Sequence, residues 1–470
     1  MDNLRLLAII IVVVYCIVAM IRKKMSTIIA LPVMGLLVAF IATVGLADGS
    51  LGGLYSHPNI YGTIDETTGE VMIQQGIMAG VLGEGAKMMS SAIVSAVFGG
   101  ALAVLLKKIG VVEEIVKTIA ELVGDRPLMI GLAFYFVTTL VFAAIGGLGP
   151  VILIGSVALP IMMSAGIQPR DAGAIILLGL STGGVINPAN WATYTTILES
   201  AGVEHSEAYQ TIVNMSFMIF LIVLIISALF VVYAVRSTTY SRAWVKVDIE
   251  RKKLSKMLLI APIVPIIIIF GSLVVTKVNP SAELVSPELA ILIGIIYAAV
   301  LSGKKNKGQL ITASFVQGVQ EVSGAIVLLM GLGILIKGFQ YYTVTPLIVP
   351  ATQVLVEALR NPWLYVVGFT IATPLVLYRG PLNTFGIGGS IPSIFAAAGF
   401  SPLASIYALR AVGNLQGFGD PTNSQNIWVA DFVKVDPNEI TKRVITIGFV
   451  MSFAVLLFAV LTHPEMLNTL

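Results

Sequence analysis

The residues able to do chemistry in this otherwise apolar chain gather at four breaks. These are Gly146-Gly147-Leu148-Gly149-Pro150, Asn187-Pro188-Ala189-Asn190, Arg379-Gly380-Pro381-Leu382-Asn383-Thr384 and Gly419-Asp420-Pro421-Thr422-Asn423. Glycine and proline release backbone N–H and C=O groups from helical bonding, so each break sets free dipoles beside polar side chains. Arg379 can clamp a carboxylate through two parallel N–H donors, a geometry that lysine lacks. It can also serve as the structural partner of a carboxylate such as Asp420 or of helix-end carbonyls. Gly147, Gly149, Gly380, Asn383, Thr384, Asn187, Asn190 and Asn423 complete the candidate substrate-binding set.

Asp420 stands in the fourth break where the second carries Asn187. A carboxylate beside unwound carbonyls can hold Na⁺ with hard oxygen ligands, or carry a proton when burial raises its pKa. Its alternative role is to cap the chain after Pro421. Asn414, Thr422, Ser181, Thr182 and Asn190 are the other candidate ligands of a coupling ion. Arg410 is expected to snorkel or to pair with Asp431 more readily than to contact an anion. Glu84 and Glu321 are expected at the membrane interface, and Trp191 and Trp428 in packing roles. His57, His205 and His463 are scattered, and the single cysteine, Cys16, excludes a disulfide framework, so no transition-metal site is expected.

The elements that must position these residues are membrane helices. A chain with 57% hydrophobic and 11% charged residues is far from a soluble globule, in which about a quarter of residues are charged. Apolar segments long enough to span about 30 Å, without the alternation of a barrel, make it an all-α polytopic membrane protein. The net charge of +3 comes from basic clusters at helix ends, which report orientation and not nucleic-acid binding.

Spanning segments are expected at 4–21, 27–47 and 86–108, an interfacial helix at 111–124, and a re-entrant hairpin from two runs, 127–147 and 150–165. A helix from 171 breaks at Asn187, and 212–235 returns. The cluster Arg22-Lys23-Lys24 places that loop in the cytoplasm and both termini outside. Residues 236–256, with seven Lys and Arg, form a cytoplasmic linker. The second half runs 257–276, 287–302, 311–338, interfacial 343–359, a hairpin over 362–398, a broken helix from 402 through Asp420, and 444–462.

The two halves repeat. Adding 233 sends Gly85 to Gly318, Gly166 to Gly399, Pro169 to Pro402, Gly184 to Gly417, Pro188 to Pro421 and Asn190 to Asn423. Adding 231 sends Gly149-Pro150 to Gly380-Pro381. An odd number of crossings per half makes 1–235 and 257–470 inverted repeats, each with a hairpin and a broken helix, the pattern of a secondary transporter with a midplane site.

At these residues the chain resembles the ion transporter superfamily, most nearly its organic-anion branches: gluconate:proton symporters, citrate–metal symporters and anaerobic C4-dicarboxylate carriers. The most specific point is Arg379 followed by glycine and by Asn383-Thr384. The resemblance implies an elevator-type homodimer in a bacterial inner membrane. Its scaffold would be 1–110, 212–235, 257–340 and 444–470, and its transport domain 126–205 and 362–432. The expected function is symport of a small organic anion with Na⁺ or H⁺ and no other cofactor. The alternative is a cation/proton antiporter on a related fold. A membrane enzyme would need a nucleophile and base or a metal cluster, and the sequence offers neither.

Overall fold

The computed structural model describes residues 2–44, 62–64, 71–73, 76–122, 126–236, 254–279 and 281–468. The acidic loop with Asp48, Asp65, Glu66 and Glu70, His57, and the linker up to residue 253 lie outside them. The described chain is almost wholly helical. In the first half the helices are α1 Asp2–Ile21, α2 Thr27–Thr43, α3 Glu84–Met88, α4 Ser90–Ile109, α5 Val111–Leu122, α6 Pro127–Phe142, α7 Leu148–Ser164, α8 Pro169–Val185, α9 Pro188–Glu199 and α10 His205–Arg236. In the second they are α11 Val264–Val278, α12 Pro287–Leu301, α13 Lys307–Phe339, α14 Thr345–Leu359, α15 Pro362–Ala372, α16 Ile391–Ala397, α17 Pro402–Gly419, α18 Ser424–Val433 and α19 Pro437–Thr462. Two three-residue strands, β1 Gly62–Ile64 and β2 Val71–Ile73, pair antiparallel.

Proline starts many of these helices, because its fixed φ suits the first turn and its missing N–H is an orphan there in any case. Asn187, Ser286, Asn361, Ser401 and Asp436 cap the helices that follow them by accepting a backbone N–H. The Asp436 cap with Pro437 explains why the last helix begins at 437 and not at 444. Similarly, α10 starts at His205, ahead of the expected 212, and a π-helical stretch, Ile77–Gly83, extends the third span upstream of 86.

Six helical runs among the described residues are long and apolar enough to cross a membrane, and the bent pair α8–α9 would make a seventh. At 16 and 17 residues, α6 and α7 reach only about 24–26 Å at 1.5 Å per residue, short of a full crossing. They fold back on each other as a hairpin, and α15 and α16 flank a second one. The amphipathic α5 packs on α6 and α7, and α14 on α15 and α16, so each candidate interfacial helix supports one hairpin.

Two groups emerge from the packing. In one, α13 lies against α2, α3 and α4, with α1, α11 and α12 around them. Its close approaches are reciprocal: a Cβ on Gly333 would meet the Gly85 carbonyl at 2.1 Å, and one on Gly100 the Gly318 carbonyl at 2.9 Å. In the other group, both hairpins surround α8, α17 and α18. The helices α10 and α19, expected with the scaffold, pack instead on this second group: α10 on α6, α8 and α9, and α19 on α17, α15 and α8. A buried ion pair reinforces the second placement, with Arg443 Nε of α19 donating to Asp171 Oδ1 of α8 at 2.7 Å. That pairing joins residues 272 apart in sequence, beyond the reach of any local pattern.

Candidate functional site

Between the two groups lies a cavity of about 980 Å³. Its walls come from all four breaks: Gly146 and Gly147 of the first hairpin tip, Asn187 and Asn190 of the first broken helix, Arg379 of the second tip, and Thr422 and Asn423 of the second broken helix. Ser181 and Asn414 also face it. Opposite them stand α13, through Glu321, and the loop after α1, through Lys23 and Ser26.

The second tip is strained. Tyr378 and Arg379 have φ of 55° and 58°, a left-handed conformation that side chains other than Gly, Asn and Asp rarely adopt. Asp420 accounts for it. Its Oδ1 accepts the backbone N–H of Tyr378 at 3.1 Å, and its Oδ2 accepts that of Arg379 at 3.4 Å and Asn383 Nδ2 at 3.4 Å. Thr422 adds its N–H at 2.9 Å and its hydroxyl at 2.7 Å. Five donors thus converge on a fully buried carboxylate with about four lone-pair sites. The side chain of Asp420 is spent inside the protein and does not line the cavity.

Held in this way, Arg379 borders the cavity, and among the described residues no hydrogen bond or ion pair engages its guanidinium. Asp420 touches Arg379 through the backbone, not through a side-chain salt bridge. Gly380 is required where it stands, since a Cβ there would sit 2.2 Å from the Leu375 carbonyl.

The other candidates divide. Asn187 caps α9 and its Nδ2 donates to the Phe142 carbonyl at the end of α6, at 2.9 Å. Asn190 and Asn423 each bridge their own break, donating to the Gly184 and Gln416 carbonyls at 2.8 and 2.7 Å. The Ser181 hydroxyl donates to the Asn414 carbonyl at 3.1 Å, tying α8 to α17. Thr182 is buried against Tyr135 and Leu178, off the cavity. Asn383 bonds the Val376 carbonyl, and the Thr384 N–H donates to Gln416 Oε1 at 2.9 Å, so both brace the tip from behind. Gly149 does not line the cavity; it abuts Glu321 Oε2, 3.0 Å from where its Cβ would be.

Two expectations are corrected. Glu321 lies in the middle of α13 on the cavity wall, not at a helix end, because α13 runs from Lys307 to Phe339 without interruption. Arg410 neither snorkels nor pairs with Asp431. It is 5% exposed, its Nη2 donates to the Val185 carbonyl at 3.1 Å, and its guanidinium lies over the Tyr194 ring at 4.5 Å. Tyr194 and Gln416 were not singled out from sequence, and Lys23 was read there only as a mark of orientation. Tyr194 and Gln416 each fall within one or two turns of a break, the one signal that could have found them. Trp191 is fully buried, donating to the Val185 carbonyl, and Trp428 packs against Gly155 and Phe432.

Comparison with known proteins follows the same lines. The profile of the DcuC family, C4-dicarboxylate anaerobic carrier, matches residues 5–461. No curated protein sequence matches the chain. Among solved structures, the fold is similar to the YdaH transporter of Alcanivorax borkumensis, at 16% identity and a TM-score of 0.61 over 94% of this chain and all of that one. It is also similar to Neisseria gonorrhoeae MtrF, described as one of a class of antimetabolite efflux pumps, at 13% identity and a TM-score of 0.53 over 92% of this chain and 94% of that one.

Proposed function

Because the chain belongs to the C4-dicarboxylate anaerobic carrier family, we propose that it carries a small dicarboxylate across a bacterial inner membrane by cation symport, with Arg379 as the anion clamp. The observation that carries this reading is the unpartnered guanidinium of Arg379, aimed into a cavity and held by a backbone that Asp420 organises. An arginine at membrane depth costs at least about 2.5 kcal/mol unless something anionic meets it. Here the anion is the cargo.

The coupling ion is assigned as Na⁺ in preference to H⁺. With Asp420 saturated by donors, the amide and hydroxyl oxygens of Ser181, Asn187, Asn190, Asn414, Thr422 and Asn423 are the ligands left at the breaks, and they suit a hard cation. The cation/proton antiporter reading loses its support for the same reason, since it depends on Asp420 exchanging ions. Reciprocal contacts at the 233-residue offset support inverted repeats, and the cavity between two packed groups supports an elevator in which the hairpins, α8, α9, α17, α18, α10 and α19 travel together, within a homodimer. The cytoplasmic placement of Arg22-Lys23-Lys24 makes Lys23 mark an inward-facing mouth.

Thermal unfolding of the purified protein with a panel of mono-, di- and tricarboxylates, each in Na⁺ or K⁺ at two pH values, tests this reading. A dicarboxylate at a hundred times its Kd should stabilise by about 2.7 kcal/mol, more strongly in Na⁺, and Arg379→Ala should remove the response without lowering the unligated melting point. Stabilisation by Na⁺ or Li⁺ alone, lost in Asp420→Asn, would restore the antiporter.

A further inference from the structure

Arg410 is a second guanidinium on the wall of the same cavity, and the fold leaves it unfinished. Its Nη1 is buried with no hydrogen-bond partner, and among the described residues no carboxylate pairs with it. The one hydrogen bond its guanidinium makes is shared, because the Val185 carbonyl also accepts Trp191 Nε1 at 3.0 Å. A buried guanidinium with one nitrogen left unsatisfied is costly, and an anion entering the cavity would satisfy it. Its repeat mate is Leu177, so the fold itself does not demand a cation at this place.

The surroundings connect it to the first clamp. Tyr194, whose ring covers Arg410, has its hydroxyl 3.4 Å from Thr384 Oγ1 on the hairpin that carries Arg379. One turn along α17, Gly413 leaves the wall between them open, a Cβ there standing 3.4 Å from the same Thr384 Oγ1. Resting on the reading of the cavity as an anion site, we infer that Arg410 is its specificity-determining residue. It takes the second carboxylate of a dianion whose first carboxylate meets Arg379, with the Tyr194 ring shifting off the guanidinium as the ligand seats. A monoanion satisfies one guanidinium and leaves the other bare.

The test compares succinate with its monomethyl ester, which keeps the skeleton and removes one charge. Wild-type protein should bind succinate at least about tenfold more tightly, the worth of one charge-assisted hydrogen bond. In R410Q the two affinities should converge, through loss of succinate binding with the ester little changed. R379Q should weaken both ligands, and R410K should recover part of the ratio. A purely structural role for Arg410 would instead lower both ligands alike. An R410Q protein that keeps the wild-type ratio overturns the assignment of Arg410 alone. If R410Q fails to fold, the wild type decides together with R410K: a wild-type ratio near one, or an unchanged ratio in R410K, overturns it, and an intermediate R410K ratio supports it. A wild-type protein that binds neither compound overturns the anion reading as a whole.

Discussion

The two halves of the site place opposite chemistry at the same repeat position. Asn187 and Asp420 are 233 residues apart, and each reaches from its broken helix to the neighbouring hairpin. The amide of Asn187 donates to a carbonyl at the end of α6, whereas the carboxylate of Asp420 accepts two N–H groups from a left-handed tip. One half therefore closes an ordinary helix end. The other stabilises a strained turn, and the product of that strain is the aim of Arg379. The asymmetry teaches that one change of side-chain polarity, amide to carboxylate, is enough to turn a helix-end closure into support for a left-handed tip.

Substitutions at paired positions can break this comparison. The largest contrast should be between Asp420→Ala and Asn187→Ala. Losing the carboxylate strands buried donors and the left-handed turn, for about 3–5 kcal/mol and loss of carboxylate binding. Losing the amide removes a cap and one buried bond, for about 2 kcal/mol. Equal destabilisation in chemical or thermal unfolding would mean that the tip does not depend on Asp420.

The next contrast is between the tip glycines. Gly380→Ala drives a Cβ into the Leu375 carbonyl and should cost about 1–3 kcal/mol. Gly149→Ala meets only the end of the Glu321 side chain, which can move, so it should stay within about 0.5 kcal/mol. Melting temperatures of the two variants settle it, and an equally damaging Gly149→Ala would show the first tip to be as constrained as the second. The smallest difference is expected between Asn190→Ala and Asn423→Ala. Both asparagines bridge their own break with one bond, so each should lose about 1 kcal/mol, and a marked inequality would show that the halves diverge here as well.

Much of the fold was legible because it is written in local backbone chemistry. Glycine and proline act through the dihedrals of their own residues, so the positions of the four breaks, the hairpins and the 233-residue offset could be read without a partner in view. Hydropathy sets burial in lipid segment by segment, and it marked the six long apolar runs among the described residues for the same reason, whereas the expected spans at 27–47 and 287–302 form helices of only 17 and 15 residues. The residues whose places differ from expectation depend on contacts across the fold. Arg410 is held by Tyr194, 216 positions earlier in the chain by subtraction of the residue numbers, and Glu321 faces a hairpin from the other half.

The sequence by itself determined an all-helical membrane carrier with paired breaks, a basic linker and an arginine in the second tip, since each follows from residue type and near-neighbour spacing. Only the tertiary structure decided that Asp420 accepts five hydrogen bonds from the second tip and its own break, that α10 and α19 pack with the hairpins, and that two guanidinium groups share one cavity. Those outcomes turn on which donors reach which acceptors across tens to hundreds of residues. Distance along the chain does not encode that; close packing in three dimensions does.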